Sequence, residues 1–473
     1  VFEYQMTTTF DFFCDMLLKV HTGDLMNKYQ LKRTAITAIG AAVLALSAPG
    51  AMAQSHTGEV VGYYPGWKSG TYPVTAANVD AGKLTMALYA FLDVCWDGKH
   101  GNPDPSVNDE APCQDAGGDA QSANGALVFR DAASDGANLQ KLVALKREHP
   151  GFKVVVSVGG WDWSNRFSDV AASAQARAGF VASSVKLVRR FGLDGVDIDW
   201  EFPGEVGVPC WPGRVCARPA DKTNFVLLAR ELRAAFDAAG QQDGKHYVIT
   251  IAAGAGAGYV KDDEPVAEGE RTGAWLRALA QSLDWINVMT YDFHLVSEPR
   301  SGHLAALRAD PADPDTAQGR TVQAAVERYL AAGIGGAQLV MGVPFYGYGW
   351  KDCAPGPHGD GQYQPCAGGA TGGGMGGVVG GHAYGFSHLL GQGMLTPAYQ
   401  GGNGYRRYWN AQAQAPYLYN AGQRIWISYE DPQSIKVKAD YIKSQRLRGA
   451  MFWELSADGG HQLLQTLSTA MGR

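Results

Sequence analysis

The sequence predicts an α/β protein, a (β/α)8 TIM barrel with a small α+β insertion domain between strands seven and eight. Three observations lead to that fold class. Short apolar runs, several of them near-continuous, alternate with amphipathic stretches at helical spacing, the pattern of parallel strands covered on the outside by helices. The runs number eight, the count that closes a barrel. The connection from about Gly347 to Tyr429 is far longer than a structureless loop in a compact domain, so a small inserted α+β domain is the better account of it.

Taken in order, the strand candidates are Val60 to Tyr64, Leu84 to Leu92, Lys153 to Ser157 and Gly195 to Glu201. They continue with Tyr247 to Ala252, Trp285 to Tyr291, Gln338 to Val343 and Gly449 to Trp453. The clearest helical stretches are Asn138 to His149, Ala174 to Arg190, Asp221 to Ala239, Thr321 to Ala332 and Pro432 to Ser444. A doubly wound open sheet is the alternative, but no Gly-x-Gly-x-x-Gly follows the first strand. The long connection holds a Gly-rich run, Gly368 to Gly381, and then Tyr384, Phe386, Tyr405, Tyr408, Trp409, Tyr417 and Tyr419. The division this implies is a barrel over 54–346, the insertion over 347–430 and the rest of the barrel over 431–473.

Ahead of the barrel the chain reads as a leader. Lys28, Lys32 and Arg33 precede an apolar run from Thr34 to Ala48 and a small-residue site at Ala51-Met52-Ala53, the layout of a secretory signal peptide over 26–53. Residues 1–25 then read as an upstream extension. Export makes disulfides the reading for the cysteines beyond that extension, which fall into local pairs: Cys95–Cys113, Cys210–Cys216 and Cys353–Cys366. Zinc competes, but there is no Cys-x-x-Cys, and the histidines show no metal spacing, so no metal and no cofactor is expected. The net charge of −6 leaves no cationic surplus for phosphates and excludes nucleic acid as an expected partner. The mature form is expected to be monomeric and free of the membrane.

The chemistry concentrates in Asp194-Gly195-Val196-Asp197-Ile198-Asp199-Trp200-Glu201. Strand side chains alternate, so Asp197, Asp199 and Glu201 share one side, and Val196, Ile198 and Trp200 the other. In a barrel the apolar set faces the helices and the carboxylates point inward. Crowded there, at least one stays protonated near neutral pH. Asp194 has the opposite parity and is expected to brace the start of the strand. Such a row suits either a divalent cation or a general acid at the C-terminal end of a barrel strand.

The row resembles the DxxDxDxE signature of glycoside hydrolase family 18, the chitinases, and other segments resemble that family in the same order. They are Gly62-Tyr63-Tyr64, Ser157-Val158-Gly159-Gly160-Trp161, Met289-Thr290-Tyr291-Asp292 and Met451-Phe452-Trp453-Glu454, with Ile427 to Ile435 similar to the insertion domain of larger bacterial members. The resemblance implies that Glu201 protonates the glycosidic oxygen and that Asp199 turns to the substrate N-acetyl group and stabilises its charge. Asp197 would share a proton with Asp199, helped by Tyr63 and Ser157. Tyr291 and Asp292 would hold the acetamido group, with Met289 counted among the substrate-binding residues. Trp453 would form the floor and Trp161 would stack on the next sugar on the leaving side. Hydrolysis of chitin and chito-oligosaccharides would then be substrate-assisted and retaining, the acetamido carbonyl attacking in place of a second carboxylate. A relative acting on glycoprotein glycans, a chitin-binding lectin and a metal-dependent hydrolase are the competing functions, and a lectin of this kind typically lacks the acid.

The chain departs from the family at two places. Many relatives read Tyr-Gly-Arg at the end of strand seven, where this chain has Tyr346-Gly347-Tyr348, and Leu295 to Glu298 stand where an aromatic often lies. Trp163, Trp211 and Trp350 are open to either groove lining or packing, Trp96 and Trp211 leaning to loop packing, and His294 to sugar contact or a structural role.

Overall fold

The computed structural model describes residues 58–68, 75–77, 79–105, 107–114, 116, 122–205, 207, 215–263, 271–375 and 381–473. The leader reading over 26–53 and the Cys210 end of one expected disulfide lie outside them, as does Trp211. No helix among the described residues is long and apolar enough to cross a membrane.

Seven strands run in turn: β1 (Glu59–Pro65), β2 (Met86–Val94), β3 (Lys153–Gly159), β4 (Gly195–Asp199), β5 (Val248–Gly254), β6 (Trp285–Met289) and β7 (Leu339–Pro344). Five more, β8 (Tyr346–Trp350), β9 (Ala383–Gly385), β10 (Arg406–Asn410), β11 (Ala415–Asn420) and β12 (Ile425–Ser428), form an antiparallel sheet in the order β9-β8-β12-β11-β10. The last, β13 (Gly449–Trp453), returns to the barrel. Each of β1 to β7 pairs in parallel with the next, and β13 pairs with both β7 and β1, which closes the cylinder. The (β/α)8 barrel and its α+β insertion are therefore present as expected.

Alternation sorts the barrel residues. Val60, Val196, Ile198 and Trp200 join the large core beneath the helices, and Trp200 lies against Phe167 and Phe225 with ring centroids 5.6 and 5.3 Å away. Inside the cylinder the lower layer is apolar, with Val61, Met86, Leu88, Val155, Val248, Trp285, Val340 and Met451 packed together. Above it comes a polar layer, because the register sets Asp197 beside Ser157 on β3 and Thr250 on β5.

The covering helices carry their own end signals. Ala174–Phe191 starts with the Ser173 hydroxyl accepting from Ala176 N–H, and Pro432–Ser444 starts with a capping box between Asp431 and Ser434 with Pro432 in the first turn. Asp194 sits at the foot of β4, as parity requires. Its carboxylate accepts from Lys146 Nζ at 2.7 Å and from Val154 N–H at 2.8 Å. The first expected helix begins earlier, at Ala132, because Asp131 caps it. Short helices at Gly160–Trp163, Phe167–Ala172 and Ala274–Ala280 fall where the apolar period is too brief to register in the sequence.

Two strands are shorter than expected, and both differences matter. β4 stops at Asp199, so Trp200 and Glu201 lie beyond its last pairing, and β6 stops at Met289, so Tyr291 and Asp292 do too. At β6 the cause is local, since the Thr290 hydroxyl turns to the Gly342 carbonyl at 2.6 Å and Asp292 adopts a φ of 57°.

The described tryptophans left open by sequence resolve toward packing. Trp350 is fully buried in the insertion against Trp426, Trp163 is buried with its indole N–H on Asp109, and Trp96 packs on the core. Disulfides join Cys95 to Cys113 and Cys353 to Cys366.

Where the insertion returns to the barrel, Lys438 and Glu430 form a fully buried ion pair, and Arg407 reaches Asp431 at 2.7 Å. Burial pushes the Glu430 pKa up and the Lys438 pKa down, while each charge holds the other. Removing one partner strands the other without water. Lys438→Met is expected to cost about 3–5 kcal/mol in urea unfolding, and adding Glu430→Leu to recover most of that loss. A double variant as unstable as the single one would contradict this.

Candidate active site

The C-terminal ends of the strands converge on one cleft, the face where barrel enzymes carry their chemistry. Asp197 is fully buried at its base. Its Oδ2 accepts from the Tyr63 hydroxyl at 3.0 Å and Ser157 Oγ at 2.7 Å, and its Oδ1 from Thr250 Oγ1 at 2.5 Å and Asn287 Nδ2 at 3.3 Å. Burial raises its pKa and these donors pull it back. Tyr63 was expected here from the sequence, as was Ser157. Thr250 and Asn287 were missed, although each is a polar residue set in an otherwise apolar strand at an inward position, which is a readable signal.

Asp199 differs sharply. It is also buried, but its Oδ1 has no hydrogen-bond partner among the described residues. Burial first, then the charges of Glu201 and Asp197, push its pKa well up. Of the two aspartates, Asp197 is surrounded by donors and suits the charge, whereas Asp199 suits the proton.

Glu201 keeps part of its surface open to the cleft. Loss of water raises its pKa to about 8, with Asp292 and Asp162 adding to the rise. Its backbone, free of the β4 ladder, is held by Ser164, whose hydroxyl accepts from Glu201 N–H at 2.8 Å and donates to the Asp199 carbonyl at 3.1 Å. Sequence reasoning did not find Ser164, since the helix that carries it is a short one.

Around these acids stand the other expected residues. The Tyr291 hydroxyl reaches Met451 Sδ at 3.8 Å, and its pKa is pushed well up by burial and the surrounding carboxylates, so it stays a donor. Its ring lies over Gly342, where a Cβ would come within 2.8 Å of Cε1. Asp292 is open to the cleft but walled by protein, and its pKa rises to about 6. Met289 packs at the rim of the inner apolar layer. Trp453 is stacked on Phe91 at 5.6 Å and tilted against Tyr63 at 5.2 Å. Trp161 is half exposed, and Trp67, which sequence reasoning did not single out, is exposed with its ring on Phe91 at 6.0 Å. Non-proline cis peptides at Ala90–Phe91, Glu201–Phe202 and Trp453–Glu454 lie at these strand ends.

His294 lies to one side. It is bonded to Glu298 at 2.8 Å and lies 3.4 Å from Asp313, while Arg320 reaches Glu298 at 2.6 Å. His294, Glu298 and Asp315 come within 4.8 Å of one another, a spacing that could take an ion. The positive charge there comes from Arg320 and from His294, whose acid partners raise its pKa to about 9 against the opposing effect of burial.

The raised Glu201 pKa has a stability consequence. Between about 4.5 and 8 the folded protein keeps a proton on Glu201 that the unfolded chain has released, so this group's contribution falls as pH rises through that window. Glu201→Gln removes the effect. The variant is expected to melt above the parent at pH 8.5 and level with it at pH 4 in calorimetry, and an equal difference at both would refute the assignment.

Comparison with known proteins agrees with this geometry. Residues 59–458 match the family model of glycosyl hydrolases family 18. Chitinase A1 of Niallia circulans is 41% identical over 431 residues, 86% of this chain, and the chain spans 58% of that relative's length. The structure of chitinase ChiA74 from Bacillus thuringiensis superposes with a TM-score of 0.77 at 38% identity, covering 88% of this chain and 69% of that one. A family 18 chitinase from Cycas revoluta in complex with (GlcNAc)3 gives a TM-score of 0.64 at 26% identity, over 88% of this chain and 100% of that one. The barrel, the inward acids and a family match across nearly all of the described chain lead to one conclusion: this chain belongs to glycosyl hydrolases family 18.

Proposed function

We propose that the protein is a secreted chitinase that hydrolyses β-1,4 linkages of N-acetylglucosamine polymers with retention, through an oxazolinium intermediate. The observation that carries this reading is the division of labour among the three inward carboxylates. Asp197 is saturated with donors, Asp199 is buried beside it with a free oxygen, and Glu201 alone of the three opens to the cleft with a raised pKa. An ordinary retaining site needs a second exposed carboxylate as nucleophile. Here the deeper acids are better suited to steering an amide and countering its positive charge.

In this scheme Glu201 gives its proton to the glycosidic oxygen as the bond to the anomeric carbon breaks. The substrate's own acetamido carbonyl oxygen forms the new bond from the opposite face. Asp199 takes the acetamido N–H, and the proton it shares with Asp197 moves toward Asp197 as positive charge develops. Tyr291 donates to the carbonyl oxygen and Asp292 holds the group from the side. Trp453 offers an apolar floor, with Trp161 at the leaving side. Glu201, now a carboxylate, takes a proton from water as the water opens the oxazolinium, restoring the starting configuration.

Support for an N-acetylglucosamine chain as substrate comes from the binding of (GlcNAc)3 by the Cycas relative. The presence of Glu201 favours an enzyme over a lectin, and the apolar run before Ala53 supports export.

The test is turnover of chito-oligosaccharides. Glu201→Gln is expected to lose activity by about three orders of magnitude or more while still binding substrate by calorimetry. Near-normal rates would sink the assignment. Activity should also fall as pH rises through about 8, where Glu201 gives up its proton. In a proton NMR time course the first product should be the β-anomer, and α-anomer appearing first would exclude the acetamido mechanism. Activity should survive EDTA, and its loss would favour a metal-dependent hydrolase.

A further inference from the structure

Asp292 leaves β6 in a left-handed turn, and its carboxylate meets the first strand of the insertion. Tyr346 on β8 donates its hydroxyl to Asp292 Oδ1 at 2.6 Å, and the Tyr348 hydroxyl lies close enough to the same carboxylate to lower its pKa. The two residues lie two apart on one strand and so share a face. Both are buried, at 2% and 1% exposure, with ring centroids 5.5 Å apart in an edge-on arrangement. Tyr346 also lies edge-on to Tyr291, at 6.3 Å.

Position 348 carries a phenol and no charge. An arginine there would bring a permanent positive charge to the cleft. The phenol brings a donor in its place. Both tyrosine pKa values are pushed well up by burial and by Asp292, so the hydroxyls remain donors across the working range. The groups that face Asp292 are Tyr346 and Tyr348 from β8, Tyr291 beside it, and Glu201 from beyond β4, whose pKa the Asp292 charge raises. The influences on Asp292 itself are loss of water, which raises its pKa, and the two hydroxyls, which lower it; no cation figures among them.

We propose that Tyr348, acting with Tyr346, is a positioning residue that keeps the Asp292 carboxylate in place as a charged acceptor, so that the insertion domain sets the acid limb of the reaction. The inference rests on the chitinase reading of the site and deepens it. Two neutral donors hold a carboxylate more weakly than a fixed cation would, so the charge on Asp292 responds to pH within the range where the enzyme works. Substrate entering the cleft displaces the remaining water from Asp292, and from then on the hydroxyls are its main support.

The experiment is the pH profile of kcat/KM on a soluble chromogenic chito-oligosaccharide, each variant normalised to its own plateau. Tyr348→Phe removes one donor without changing the ring, and should move the acid limb about one pH unit upward. Tyr348→Arg should move it downward. Tyr346→Phe removes the other donor and should act in the same direction as Tyr348→Phe, which keeps the test open if one variant folds poorly. The shift should vanish when Tyr348→Phe is added to Asp292→Asn, because the titrating group is then gone. A purely structural role for Tyr348 would lower the plateau and leave the limb where it was. Active parent enzyme with coincident acid limbs overturns this inference alone. Absence of turnover by the unsubstituted protein overturns the chitinase reading and this inference with it.

Discussion

A carboxylate at the centre of a closed barrel survives as an anion only if the neighbouring strands supply enough hydrogen bonds to replace water, and Asp197 is built on that constraint. Its donors come from β1, β3, β5 and β6, so one side chain ties together strands that are not all neighbours. A buried carboxylate with fewer partners would rather keep a proton. Asp199, one step further along the same face, is left in that condition. The contrast between the two aspartates requires no special loop. It follows from which layer of the barrel each occupies and which residues the register places beside it.

The same constraint explains what the sequence made legible. Strand alternation placed Asp197 and Asp199 inward, and placed Trp200 among the outer aromatics, because a period of two leaves no choice once one face is apolar. Asp194 could be read as a brace for the same reason. The Lys146 and Val154 contacts it makes come from distant positions in the chain, and no local pattern announces them. Thr250 and Asn287 lay in plain view as polar residues within apolar strands, but their roles depend on a register that is a property of the closed sheet. Glu201 was read as the last residue of its strand. It stands beyond the last pairing, held by Ser164 from a short helix whose apolar period is too brief to detect. The tryptophans show a further limit. Composition supplies aromatic rings, but only packing separates Trp350, which fills a core, from Trp161, which faces solvent.

The insertion contributes to the site directly. Its first strand follows directly on β7, so Tyr346 and Tyr348 reach the cleft from a sheet that is not part of the barrel. Its last strand leads straight to Glu430 and Asp431, whose partners Lys438 and Arg407 join the returning helix to the insertion. Buried ion pairs add little net stability compared with apolar contacts, but they penalise wrong arrangements heavily. Placed at the junction, such pairs discourage any docking of the insertion in which Asp292 would face something other than the two tyrosines.

The seam between β1 and β13 gives the barrel a particular assembly history. It pairs Val60 with Ala450, and Arg448 reaches back to Glu59 across 389 positions. The parallel pairs among β1 to β7 join strands that follow one another along the chain, so they can form as it appears. The seam cannot form until β13 has been delivered, after the whole insertion. A chain that emerges from its N-terminus is therefore an open, growing sheet with both edges unpaired until then. Its polar layer would stay wet, and its acids ordinary, until the final strand shuts the cylinder. The dry surroundings of Asp197 are a property of closure, acquired last.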